Sequence, residues 1–272
     1  MKNKSSEYIL GTSDEELARL GYQHQVWLDE AVWLWEQAAF GLGNRILDVG
    51  SGPGFATLDL ARLVGLNGKI IALDNSEKFV AYLEQQIRAA NLQNVETRLG
   101  DVQQLELPED HFDGAFARWL LCFVPEPEKV IAGVARALKT GGRFVVMDYY
   151  NYQSIRIYPR RESIEKIFAA YYESVQMAGG NYDVAGVLPE MMTRNGFEIE
   201  TIKPINRVAR AGSRIWNWVE LFNQSYLPKL VESGLLSESE VSKFHRDWTQ
   251  LNQEPAAFLY APPMLGIIGI KK

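Results

Sequence analysis

The sequence predicts an α/β protein in which helices cover both faces of a mostly parallel sheet. Three observations predict it. Apolar strand-like runs alternate with amphipathic segments between residues 45 and 150. The clearest runs, RILDVG (45–50) and KIIALD (69–74), are nearly continuous and aliphatic, as strands buried on both sides must be. The large rings lie elsewhere: all seven tryptophans fall outside residues 44–118, and of twelve tyrosines only Tyr82 lies between 44 and 148.

The elements follow in order. Residues 14–40 read as a helix, because Leu17, Leu20, His24, Trp27, Leu28 and Ala31 share one face. Ser13 or Asp14 caps its start, and Glu16 would complete a capping box with Ser13. Gly41 and Gly43 end it, while Gly21 suggests a kink or break on the way. After the first strand, FATLDLARLV (55–64) is a helix closed by Gly65. KIIALD is the second strand, and SEKFVAYLEQQIRAA (76–90) a helix with Ser76 as N-cap. NVETRLG (94–100) and FDGAFAR (112–118) are the third and fourth strands. KVIAGVARALK (129–139) is a helix and GRFVVMDYY (142–150) the fifth strand. The regularity then breaks. Residues 151–181 are mostly helical, 188–196 form a short helix, 196–205 a strand, 213–254 an aromatic-rich helical stretch, and 264–272 a final strand.

The stretch ILDVGSGPG (46–54) runs from a strand into a turn with three glycines. Such a turn brings backbone and a helix N-terminus against a ligand at the carboxyl end of a sheet. The dinucleotide fingerprint G-x-G-x-x-G/A fits it poorly, since the third glycine comes one position early and Phe55 occupies the place of a small residue. Asp74 ends the second strand, where a carboxylate accepts hydrogen bonds from both hydroxyls of a ribose. Asp101 ends the third strand, beside Val102. Alone it would read as a loop cap; in series with Gly50 and Asp74 it reads as an adenine contact.

Composition narrows the partners. The 272 residues carry 28 basic and 34 acidic side chains, a net charge of −6 without a long basic run, which argues against a nucleic-acid scaffold. A single cysteine, Cys122, and three scattered histidines supply no metal ligand set, so no metal is expected. Neither a signal peptide nor a membrane span is evident, and the expectation is a cytoplasmic protein with no membrane partner. Nothing in the composition sets an oligomeric state.

ILDVGSGPG, IIALDNS and LGDVQQLELPEDHFDGAFARWLLCFVPEPEKVIAGVARALKTGGRFVVMD together resemble the successive motifs of class I S-adenosylmethionine-dependent methyltransferases. YILGTSDEELARLGYQHQVW resembles more loosely the N-terminal segment of the UbiE-like group acting on small molecules. The resemblance implies a Rossmann-like, seven-stranded, mostly parallel sheet with a reversed last strand, supplied by MLGIIGIKK, and helical cap insertions. It also implies S-adenosylmethionine as cofactor and S-adenosylhomocysteine as product. By position, Gly50, Ser51, Gly52 and Gly54 would line the methionine and ribose, supported by Asp48. Asp74 and Asn75 would hold the ribose, Asp101 and Val102 the adenine. Arg118 and Trp119 would face the methionine, with Gln23 and Tyr8 reaching in from the N-terminus.

This reading makes residues 1–272 one methyltransferase domain: an N-terminal cap (1–43), a cofactor core (44–150), a helical insertion (151–187), a helical lid (213–255), and further sheet from 188–212 and 256–272. Methyl transfer demands no obligatory catalytic residue, so the candidate bases are only His24, Tyr149 and Tyr150. Each has a plainer role, His24 as a satisfied, half-buried histidine and the tyrosines as packing. The aromatic insertions point to an apolar or aromatic small molecule, with Trp27, Tyr152, Trp216, Trp218, Phe222 and His245 as pocket candidates. The two other functions open to such a sheet are an NAD(P)-dependent oxidoreductase and a cofactor-binding regulatory protein without catalysis.

Overall fold

The computed structural model describes residues 11–272, so Tyr8 lies outside the described residues. Helix α1 (Asp14–Gln37) starts where the Ser13 hydroxyl accepts the Glu16 amide, and it stops at Gln37 rather than at residue 40. The reciprocal half of the expected capping box does not form. The Glu16 carboxylate instead takes two bonds from the buried Arg19 guanidinium, at 2.7 and 2.6 Å. α1 runs unbroken through Gly21. A Cβ there would stand 3.1 Å from the Phe55 ring, so glycine serves close packing of helix on ring.

The core alternates as the pattern requires: β1 (Arg45–Val49), α2 (Phe55–Val64), β2 (Lys69–Asp74), α3 (Glu77–Ala89), β3 (Val95–Leu99), β4 (Phe112–Arg118), α4 (Pro127–Ala137) and β5 (Leu138–Tyr149). Then follow β6 (Arg156–Tyr158), α5 (Glu162–Met177), α6 (Leu188–Arg194), β7 (Phe197–Ile205), β8 (Val208–Arg210), α7 (Arg214–Glu232), α8 (Glu238–Gln253), β9 (Phe258–Tyr260) and β10 (Met264–Lys271). Seven strands make one sheet in the order β3-β2-β1-β4-β5-β10-β7. β10 is the reversed strand, antiparallel to both β5 and β7. Consecutive residues of the central strands, Ile46 to Val49 and Phe144 to Tyr149, are buried, because helices cover both sides. At the edge, β7 alternates, and Pro204 is tolerated there since an edge strand has amides to spare.

A second sheet, in the order β6-β9-β8, was not expected. Its strands are three residues long, with Ile157, Leu259 and Ala209 aligned and buried at the middle register. It ties the stretch after β5 to the two ends of the α7–α8 pair, so residues 151–187 are not wholly helical. A true capping box occurs at α8, where Ser237 and Glu240 satisfy each other's amides. No helix of the described residues is long and apolar enough to cross a membrane.

Candidate active site

The parallel strands β1, β2 and β4 end on one side of the sheet, and a cavity of about 260 Å³ opens there. The turn after β1 carries three left-handed glycines: Gly50 (φ 67°), Gly52 (54°) and Gly54 (83°). Their jobs differ. A Cβ on Gly50 would strike Leu120 and one on Gly54 would strike Leu83, at 2.5 and 2.2 Å, whereas one on Gly52 would meet nothing within 4 Å. Gly54 therefore does not line the cavity as expected; it caps α2 and lets Leu83 pack.

The turn's amides are spent inside the protein. Gly50 and Ser51 both donate to the Leu73 carbonyl, at 2.8 and 3.0 Å, and Gly54 donates to the Ser51 carbonyl at 3.0 Å. Gly52 donates to Asp74 Oδ2 at 2.8 Å. Pro53 has no N–H to give. The turn thus presents bare backbone at Gly52, and the uncapped N-terminus of α2 follows it, with Phe55 and Ala56 at the cavity.

Asp74, at the end of β2, also accepts the Ser76 amide through Oδ1 at 2.9 Å. Burial pushes its carboxyl up, against the pull of those backbone donors. Asn75 lies at the cavity rim. Asp101 and Val102 line the wall beyond. Asp101 keeps the plainer role as well, since its Oδ1 accepts the Gln103 amide at 2.9 Å. Asp48 faces the cavity and accepts the Thr57 hydroxyl at 2.6 Å, tying β1 to α2. Burial raises Asp48 to about 6.

Arg118 and Trp119 close the sheet side. Arg118 donates through Nη2 to His24 Nδ1 at 2.9 Å, and His24 Nε2 bonds Asp59 Oδ2 at 2.9 Å. His24 is therefore a neutral Nε2–H tautomer with both nitrogens engaged, a correction to its candidacy as a base. Desolvation lowers its pKa and outweighs the Asp59 bond. Arg118 drops to about 10 for the same reason, so it stays cationic near neutral pH. Gln23, on α1, also faces the cavity; its Oε1 accepts Arg19 Nη1 and Trp218 Nε1, both at 2.8 Å.

His24 gives stability a pH dependence. The unfolded chain takes up a proton near the ordinary 6.5, which the folded chain resists, so stability falls as pH drops below that value. Asp48 and Asp148, raised to about 6, act oppositely, because the folded chain binds their protons first on acidification. The difference between wild type and His24→Gln isolates the histidine. Their urea midpoints should converge as pH falls from about 8 to about 5; a constant gap would remove His24 from the linkage.

Several expected pocket residues lie elsewhere. His245 is exposed on α8, whose buried stripe is Phe244, Trp248 and Leu251. Trp216 packs against Trp248 and donates to Asn252 Oδ1 at 2.6 Å, inside the α7–α8 contact. Phe222 sits against Tyr171, Tyr226 and the Arg19 guanidinium. Trp27 and Trp218 form a second layer behind Trp119, at ring distances of 6.3 and 6.4 Å. Tyr152 lies behind the same wall, stacked on Tyr182 at 4.2 Å. Tyr150 is 44% exposed, and Tyr149 is buried with its pKa held well above the usual value, so neither serves as a base in the cavity. Sequence reasoning missed Phe79, Phe123, Val175 and Gly180, which also line it. Phe79 follows Ser76 in the first turn of α3 and was within reach; Val175 and Gly180 arrive from the insertion, without a local signal.

A glycine turn after β1, a carboxylate at the end of β2 and a cavity across the strand ends, on a seven-stranded sheet with one reversed strand, are the arrangement of a class I methyltransferase domain. Residues 42–211 match the family model described as a methyltransferase domain, and the chain belongs to that family. It is 29% identical over 210 residues to an uncharacterized 37.1 kDa protein in transposon TN4556 of Streptomyces fradiae, covering 74% of this chain and 59% of that one. It is 32% identical over 128 residues to a 2-phytyl-1,4-naphtoquinone methyltransferase of Synechococcus elongatus, covering 47% and 54%. The chain thus spans little more than half the length of these relatives. In fold it resembles the YcgJ protein of Bacillus subtilis, with a TM-score of 0.61 at 19% identity, over 89% of this chain and 97% of that one.

Proposed function

We propose that this protein transfers a methyl group from S-adenosylmethionine to an oxygen, nitrogen or carbon of a small apolar or aromatic molecule. The observation that carries the reading is the turn after β1. Its amides are committed to β2 and Asp74, and Gly52 opens bare backbone to the cavity. That suits a ribose and a sulfonium chain, and Phe55 in the place of the dinucleotide fingerprint's small residue argues against the NAD(P) alternative. The buried Ser51 Oγ and Arg118 Nη1 have no hydrogen-bond partner among the described residues, which fits polar cofactor groups beside them.

In this reading Asp74 and Asn75 hold the ribose, Asp101 and Val102 the adenine, and Gly50, Ser51 and Gly52 the chain between. Arg118 and the Gln23 amide face the methionine carboxylate, and Trp119 walls off water. When bound, S-adenosylmethionine supplies a methyl carbon that an acceptor's lone pair takes in line, the carbon–sulfur electron pair staying on sulfur to leave S-adenosylhomocysteine. The protein's part is orientation and exclusion of water. His24, Tyr149 and Asp148 are not set to take a proton. His24 is bonded at both nitrogens, Tyr149 stays protonated, and Asp148 accepts the Cys122 and Tyr149 amides. The acceptor's proton passes to solvent or to Asp48, whose carboxyl faces the cavity and is raised to about 6, or the acceptor arrives ionised. The acidic surface supports a small-molecule partner over a nucleic acid, and a cytoplasmic setting fits the single reduced cysteine.

Calorimetric titration with S-adenosylmethionine, S-adenosylhomocysteine, NAD and NADP tests the assignment. The first two should bind and the dinucleotides should not. Binding of a dinucleotide in their place would sink it. Methyl-labelled cofactor then separates an enzyme from an inactive binder, through label transferred to a small-molecule fraction.

A further inference from the structure

Arg118, His24 and Asp59 form a chain across β4, α1 and α2, and of the three only Arg118 lines the cavity. Arg118 Nη2 donates to His24 Nδ1 and His24 Nε2 bonds Asp59 Oδ2, both at 2.9 Å. The ends of the chain set its polarity. A guanidinium can only donate, and an ionised carboxylate can only accept, so His24 is neutral with its one proton on Nε2. The His24 bond in turn holds the Asp59 carboxyl below the usual carboxylate range, and Arg62 Nη1 fixes its other oxygen at 2.6 Å. His24 is buried behind the Phe55 ring, stacked on it at 6.0 Å. It does not face the cavity, so whatever it does for a ligand it does through Arg118.

Two carboxylates compete for what Arg118 has left. Its buried Nη1 has no hydrogen-bond partner among the described residues. Asp48, at the end of β1, lines the same cavity and draws on the Arg118 charge, with one oxygen already taken by the Thr57 hydroxyl. A buried cation free to swing would close onto that anion and lose its free donor. Two contacts hold it instead. The His24 bond seats Nη2 on the α1 side, and the guanidinium lies over the Trp119 ring at 5.0 Å. Because the guanidinium is a rigid plane, seating one nitrogen sets the direction of the other. Nη1 is thereby kept as an unmet donor at the cavity, which a buried group sustains only where another molecule supplies the acceptor.

We propose that His24 and Asp59 are positioning residues, which hold Arg118 Nη1 off Asp48 and ready for the carboxylate at the amino-acid end of the cofactor. This rests on the methyltransferase reading of the cavity. His24 thus serves binding and moves no proton, and Asp59 serves it by keeping the imidazole in the tautomer that accepts from Arg118.

Equilibrium dialysis of the full chain tests this with S-adenosylhomocysteine and with methylthioadenosine, which keeps the adenine, ribose and thioether but lacks the amino-acid end. The wild type should bind S-adenosylhomocysteine about tenfold more tightly, or better. His24→Leu removes the acceptor for Arg118. It should weaken S-adenosylhomocysteine about tenfold and leave methylthioadenosine within about twofold. His24→Asn keeps a carboxamide oxygen near the place of Nδ1 and should lose no more than about threefold. Asp59→Leu, at a half-buried position on α2, carries the prediction should His24→Leu not fold: S-adenosylhomocysteine about threefold weaker, methylthioadenosine unchanged. A merely structural role would move both ligands together. That result, equal affinity of the wild type for the two, unchanged binding in the leucine variants, or no recovery in His24→Asn overturns this proposal alone. Failure of S-adenosylhomocysteine to bind the wild type overturns the methyltransferase reading and this proposal with it.

Discussion

Asp74→Ala should weaken S-adenosylmethionine by more than ~10-fold while the chain still folds. A carboxylate offers about four lone-pair sites. Three backbone amides already draw on Asp74: those of Gly52 and Ser76, at 2.8 and 2.9 Å, and that of its neighbour Asn75. The capacity that is left serves a ribose hydroxyl. Alanine removes that ligand bond and also frees the Gly52 end of the turn from β2. A bond to a charged acceptor contributes about 1.5–3 kcal/mol, which by itself reaches the tenfold threshold of about 1.4 kcal/mol. Asp74→Asn is the informative companion. Its amide end would face a backbone N–H, donor against donor, so it should bind poorly despite its matching size. Calorimetry reads both variants, and an unchanged dissociation constant in Asp74→Ala would take this carboxylate out of the site.

The pattern of what sequence shows and hides has a physical basis. Asp74 and Arg118 sit at the ends of strands whose burial is written in their own residues, so their placement at one edge follows from the strand pattern. The same holds for Gly52, flanked by an apolar strand and an amphipathic helix. Strands β6, β8 and β9 could not be read, because three residues are too few to display an alternation; pairing with distant partners creates them. Val175 and Gly180 reach the cavity only because the insertion folds back, Asn181 donating to the Cys122 carbonyl at 2.8 Å. Gly21 misled because helix propensity was weighed without the Phe55 ring that lies against it. His245 could have been placed correctly, since Phe244, Trp248 and Leu251 mark a stripe that excludes it. Trp216 and Trp218 do point in different directions, as their spacing requires, but α7 is covered on both sides and neither reaches the cavity.

Gly52→Val should abolish cofactor binding, by at least ~100-fold, at modest expense of stability. The three glycines of the turn make this a controlled comparison. At Gly54 a Cβ would lie 2.2 Å from Leu83, a fully buried side chain, so Gly54→Ala should lower the melting temperature. At Gly52 an added Cβ meets no atom of the described residues within 4 Å, so the main intrinsic cost is the left-handed backbone at φ 54°. That strain is about 1–2 kcal/mol, more for a β-branched residue. A domain of this size tolerates it with a shift of a few degrees. The isopropyl group then occupies the space that the bare backbone leaves open beside Asp74. If the cavity holds the cofactor there, Gly52→Val is folded and does not bind, whereas Gly54→Ala is less stable and, where folded, still binds. Were Gly52→Val to bind normally, the turn would be a structural corner only, and the amides committed to Leu73 and Asp74 would be its whole purpose.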